Sequence, residues 1–225
     1  MAPSPGLSGV GFGWSLLSVV AAGVVSAGYY IPLWIIGSLS LNDRSLPAYF
    51  GCFRRCNYPW SHPGTERIEL VELCGRYKTF DDIPTLWWKI CTVSVGVGSA
   101  AALLVAFITI PAWCMSDIVS KTSARILGIV QAFAAILIGG GCVIYPLGWG
   151  NREVRDACGE HAGPYLLGNC TIGWAYYLVV GGAMLLLVCA SLSTKAGKSI
   201  RWQKLRNPPP TASDEQSGGL KSVNL

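Results

Sequence analysis
Charged side chains are scarce in this sequence. Asp, Glu, Lys and Arg make up 13% of its 225 residues, against about 25% in soluble globular domains. That shortage excludes an ordinary water-exposed surface. Histidine is scarcer still: His62 and His161 are the only two, and neither stands in a triad or in a metal-ligand spacing. No Cys-x-x-Cys pair occurs, and no glycine-rich phosphate loop leads into a Lys-Ser or Lys-Thr pair. These gaps argue against catalysis and against any bound cofactor. The net charge of +5 is too small to suggest nucleic acid as a partner.

The charge that exists avoids the interiors of four long apolar runs and touches them only at edge residues such as Arg125. Each run meets the roughly 20 residues that a helix needs to cross a bilayer. They place spans at 10–37, 89–115, 124–149 and 171–194. Two outer loops (38–88 and 150–170), a cytosolic connector (116–123) and cytosolic ends (1–9 and 195–225) complete the chain. Inside lipid the backbone must satisfy its own hydrogen bonds, and without a barrel's alternating pattern that means helices. Val25-Ser26-Ala27 resembles a cleavage site, but no Lys or Arg precedes it and the apolar run continues to Ile36; the first span is expected to stay uncleaved. Gln131 is the one strongly polar residue well inside a span. A proton or ion path would need ionisable groups there, so a self-contained transporter is disfavoured.

Orientation follows from the loops. Lys195, Lys198, Arg201, Lys204 and Arg206 follow the fourth span without an acid among them, which marks a cytosolic side. The same run could bind anionic lipid headgroups, at about 1 kcal/mol per cation. At the far end, Val223-Asn224-Leu225 has the form of a terminal PDZ ligand. On the other side, Cys56, Cys74, Cys158 and Cys170 all fall in the two outer loops, as expected for disulfides in an oxidising compartment.

The large outer loop is too long to be structureless. Ile68 to Leu73 partly alternates apolar with acidic residues and reads as a strand, with Tyr49–Arg55 as its partner. A Cys56–Cys74 bridge would stabilise this small sheet by about 3 kcal/mol in the chain-entropy model. Cys158 and Cys170 are the natural second pair. A metal site from Cys52, Cys56 and His62 loses to the disulfide reading. Cys52 is left over, either as a buried thiol or as an intermolecular link, while Cys91, Cys114, Cys142 and Cys189 read as packed thiols. Small residues such as Gly23, Gly28, Gly96, Gly98 and Gly128 mark faces where helices can approach closely.

Several uncommon strings then recur together. Pro32-Leu33-Trp34, Phe53-Arg54-Arg55-Cys56-Asn57-Tyr58-Pro59, Cys74-Gly75-Arg76-Tyr77, Tyr145-Pro146-Leu147-Gly148-Trp149 and Gly173-Trp174-Ala175-Tyr176-Tyr177 closely resemble the lipoma HMGIC fusion partner-like tetraspan family, its founding branch most of all. More distantly, Trp34, Gly51-Cys52-Phe53-Arg54-Arg55-Cys56 and Cys74 are similar to the claudin signature, with Cys52 and Phe53 in place of its Leu and second Trp. The resemblance implies an all-α membrane protein, a claudin-like four-transmembrane-helix bundle with a small extracellular antiparallel β-sheet in the first outer loop. It further implies a non-enzymatic accessory subunit or chaperone of a channel, receptor or adhesion protein at the plasma membrane, or alternatively a junction component. Phe53, Arg54, Arg55, Tyr58, Arg76 and Tyr77 are the expected display residues for such a partner, with a membrane-edge anchor as the other reading of Phe53, Arg54 and Arg55.

Overall fold
A computed structural model describes residues 9–41, 44–61, 68–111 and 120–196. The first helix, α1 (Gly9–Tyr30), ends because Pro32 lacks an N–H and biases the residue before it away from helix. One carbonyl left free at this end, that of Gly28, accepts from the indole N–H of Trp34 at 2.8 Å. This corrects the span expected to run to residue 37. Residues 35–37 instead open a strand, β1 (Ile35–Leu41), in which Ile35 and Leu39 are buried and Ser38 and Ser40 exposed. Isoleucine and valine suit either a membrane helix or a strand, so hydropathy alone does not separate the two.

Three more strands follow, β2 (Arg44–Phe50), β3 (Arg54–Ser61) and β4 (Ile68–Arg76). A fifth, β5 (Thr171–Ile172), comes from the second loop. They form one antiparallel sheet in the order β4-β3-β2-β1-β5. The sheet is therefore larger than the two-stranded core expected, and it is not confined to the first loop. Asn57 takes a left-handed φ of 56° at the irregularity between Cys56 and Tyr58, a conformation asparagine tolerates better than most residues. Its side-chain amide donates to Pro47 O at 2.6 Å.

The remaining spans are α2 (Leu86–Thr109), α3 (Lys121–Ile144) with a 3₁₀ turn at Tyr145–Gly148, and, after the short α4 (Arg152–Cys158), α5 (Trp174–Ala196). Thr85, Ser120 and Asn151 cap α2, α3 and α4 by accepting from Trp88, Ser123 and Val154 backbone N–H groups, each satisfying a donor that the helix start leaves free. The chain thus has four helices long and apolar enough to cross a membrane. Helix α1 packs on α2 and α5, and α3 packs on the same two, closing a four-membered ring. Glycine permits the approach: a Cβ on Gly98 of α2 would lie 2.6 Å from Ile138 Cγ1 of α3, and one on Gly28 of α1 would lie 2.8 Å from Val179 Cγ2 of α5. These small-residue faces, expected to allow close approach, close the bundle itself. Gly13, Gly23, Gly139, Gly140 and Gly181 have no atom near their open side and face outward.

Candidate partner-binding face
The sheet end of the bundle is built around aromatic rings. Trp34, Phe50, Trp88 and Tyr145 are all buried. Trp88 stacks on Tyr145 at 5.1 Å, and Trp34 meets the same ring edge-on at 4.9 Å. The indole N–H of Trp88 donates to Tyr145 O at 3.2 Å, so its polar atom is satisfied inside the core. This cluster forms the floor on which the sheet stands.

Above it, the β3–β4 hairpin is joined by a Cys56–Cys74 disulfide between residues directly opposite in the register. A second disulfide joins Cys158 at the end of α4 to Cys170 just before β5. The residues beside the first bridge face inward more than the sequence suggested. Arg55 forms an ion pair with Glu153 of α4, and its guanidinium lies 4.1 Å from the Tyr58 ring centroid and 4.7 Å from that of Tyr77. The Tyr77 hydroxyl donates to the second Glu153 oxygen at 2.7 Å. Burial, reinforced by the Glu153 carboxylate, pushes the Tyr77 phenol well above its usual range and keeps it a neutral donor. Phe53 packs on Tyr29 at 4.7 Å, and Arg54 stacks on Tyr30 at 4.1 Å. Phe53, Arg54, Arg55 and Tyr77 therefore fasten the sheet to α1 and α4 rather than forming a free display face. Arg76 is exposed and Tyr58 half-buried.

Sequence reasoning missed Glu153. It lies in the first turn of α4, in the outer loop read only as the carrier of Cys158 and Cys170. The signal that could have found it is the Asn-x-Glu start of a capped helix. Cys52 is no intermolecular link in this fold: it is buried, with its sulfur 2.9 Å from that of Cys91. Lys195 is exposed in the last turn of α5, while Lys198, Arg201, Lys204, Arg206, Val223 and Leu225 lie outside the described residues. Among the described residues no cluster of three His, Cys, Asp or Glu side chains could hold a metal ion.

Two grooves lie beside α2. A groove of about 790 Å³ runs between residues 82–87 and the second loop, with Asp82, Trp87, Asn151, Arg152 and Arg155 on its walls. The Asp82 carboxyl is held below its usual range by the backbone N–H of Thr79, which donates to it at 2.9 Å. Directly adjoining is an apolar groove of about 550 Å³ between α2 and α3, lined by Phe80, Ile90, Val93, Val97 and Phe133. Leu86 lines both grooves and is 66% exposed, so the surface passes from charged to apolar across one residue.

With four spanning helices and a disulfide-fixed sheet established, residues 10–195 match the family described as Lipoma HMGIC fusion partner-like protein. The chain belongs to this family. The matched region takes in all four spans and the whole sheet, and leaves out both termini. Its relatives include the human LHFPL tetraspan subfamily member 2 protein, 29% identical over 81% of this chain and 85% of the relative. The zebrafish (Danio rerio) member 2a protein is 32% identical over 81% and 84%. The mouse (Mus musculus) member 4 protein is 30% identical over 84% and 72%. The lipoma HMGIC fusion partner-like family is thus a tetraspan membrane family, as the four helices require, and it is not a known enzyme family.

Proposed function
We propose that this family member is a non-enzymatic accessory subunit or chaperone of a larger membrane complex, holding an integral membrane channel, receptor or adhesion protein. The observation that carries the reading is the continuous surface through Leu86. A membrane partner with an extracellular domain above a transmembrane helix meets such a surface with charge above and hydrocarbon below. The surrounding fold is rigid enough to present it, because the sheet is tied to α1 by Arg54 and Phe53 and to α4 by Arg55 and Tyr77. In this reading the sheet end is extracellular, both termini are cytosolic, and the plasma membrane is the site of action. The basic run from Lys195 to Arg206 then meets anionic lipid, and Val223 and Leu225 offer a PDZ ligand.

Photo-crosslinkers placed at Trp87 and at the outward-facing Met184 of α5, in native membranes, test it. Recovery of one membrane protein from Trp87 but not from Met184 is the expected result. Equal, unselective labelling at both positions, or only monomer in mild detergent, overturns it.

The alternative is a claudin-like barrier component that associates with its own copies. It draws on β4, which forms an edge of the sheet and leaves Leu73 68% exposed; unprotected edges pair readily with other strands. Expression in non-adherent cells separates the two: enrichment at cell–cell contacts favours the barrier, and diffuse surface staining the accessory role.

A further inference from the structure
We propose that Cys52 and Cys91 form a third disulfide, which bonds the sheet covalently to α2. Their sulfurs are 2.9 Å apart, against about 2.05 Å in a formed bridge, so a small side-chain adjustment closes the bond. Both residues are fully buried, and each is held by its neighbours. Cys52 sits in the bend between β2 and β3, where the Gly51 N–H donates to Arg54 O at 2.8 Å. Phe50, two residues earlier on the same side, lies 6.4 Å from the Trp88 ring. Trp88 in turn is one turn before Cys91 on the same face of α2. The ring contact and the sulfur contact therefore share one register, and the first aligns the second.

The chemistry is thiol–disulfide exchange. The Cys52 and Cys91 thiols give up two protons and two electrons to a protein disulfide of the secretory compartment's dithiol oxidoreductases. The S–S bond forms here, and the donor's disulfide breaks to two thiols. Since both sulfurs are buried once the sheet docks, one thiol forms a mixed disulfide with the oxidoreductase while still exposed; docking then brings the second thiol onto it, which closes the bond, releases the oxidoreductase's thiol and leaves the bridge shielded from soluble reductants. The proposal rests on the reading that the sheet end is extracellular.

The test uses full-length protein taken from the cell surface. It is denatured under non-reducing conditions and alkylated with a light reagent. It is then reduced, alkylated with a heavy isotopologue and mapped by mass spectrometry. The expected result is heavy label on Cys52 and Cys91, so that only three of the nine cysteines, Cys114, Cys142 and Cys189, carry light label. In Cys52→Ala protein, Cys91 shifts to light label while Cys56 and Cys74 stay heavy. Light label on Cys52 and Cys91 in the unmutated protein, with the other two bridges intact, overturns the third bridge alone. A Cys91–Cys142 bridge also overturns it. Light label on all nine overturns the extracellular placement together with it.

Discussion

The two ends of this bundle are held by different physics. At the sheet end, large rings and an ion pair draw together residues far apart in sequence, and two disulfides staple the loops locally. At the opposite end, hydrogen bonds between helices join a smaller apolar cluster. There Trp14, Ala124, Cys189 and Ala196 form a small separate apolar cluster, and Gln131 bridges helices. Its carbonyl accepts from the Trp14 indole N–H at 3.1 Å, and its amide donates to Ser18 Oγ at 2.7 Å. Nearby, the Ser15 hydroxyl donates to Thr109 O at 3.3 Å. Lipid gives no hydrophobic push for helices to associate, so packing and interhelical hydrogen bonds must hold this end. The sheet end protrudes beyond the spans and can add water-driven burial and oxidation. The sheet end is thus the more heavily cross-linked of the two.

The contrast can be broken most severely at the aromatic floor. Trp88→Ala removes the stack on Tyr145 and the contact with Phe50, and should destabilise by about 3–5 kcal/mol, read as a large fall in melting temperature in detergent. Cys56→Ser or Cys74→Ser should lose about 3 kcal/mol and block surface delivery, measured by surface biotinylation; normal delivery of both would remove the disulfide from the account of the sheet end. Gln131→Leu keeps the volume but not the hydrogen bonds, and is expected to lose only about 1 kcal/mol. A loss matching that of Trp88→Ala would mean that the two ends are equally dependent on single side chains.

The smallest effect should appear only in alkali. Below the ordinary tyrosine pKa of about 10 the Tyr77 phenol is neutral whether the protein is folded or not, so it adds no pH dependence. Above that value the unfolded chain ionises first, because the folded phenol's pKa is raised, and stability falls as pH rises. Melting profiles of Tyr77→Phe should therefore fall less steeply above pH 10 than those of the unsubstituted protein. Identical slopes would show that Tyr77 ionises as freely when folded as when unfolded.

The four spans were legible in the sequence by themselves, since bilayer thickness imposes apolar length and composition reports it locally. So were the Cys56–Cys74 and Cys158–Cys170 bridges, each within one outer loop, whereas the place of Cys52 was not. The tertiary structure alone decided that Ile35-Ile36-Gly37 is a strand and not the end of a helix, since only pairing with Phe50, Tyr49 and Ala48 distinguishes two equally apolar readings. It alone turned Arg55 and Tyr77 inward, because Glu153, their partner in space, is distant in sequence. It alone sorted Gly28 and Gly98 to the inside and Gly23 and Gly139 to the outside, for a glycine's face depends on which helix lies beside it. Composition is fixed residue by residue, whereas contact direction belongs to the assembled chain.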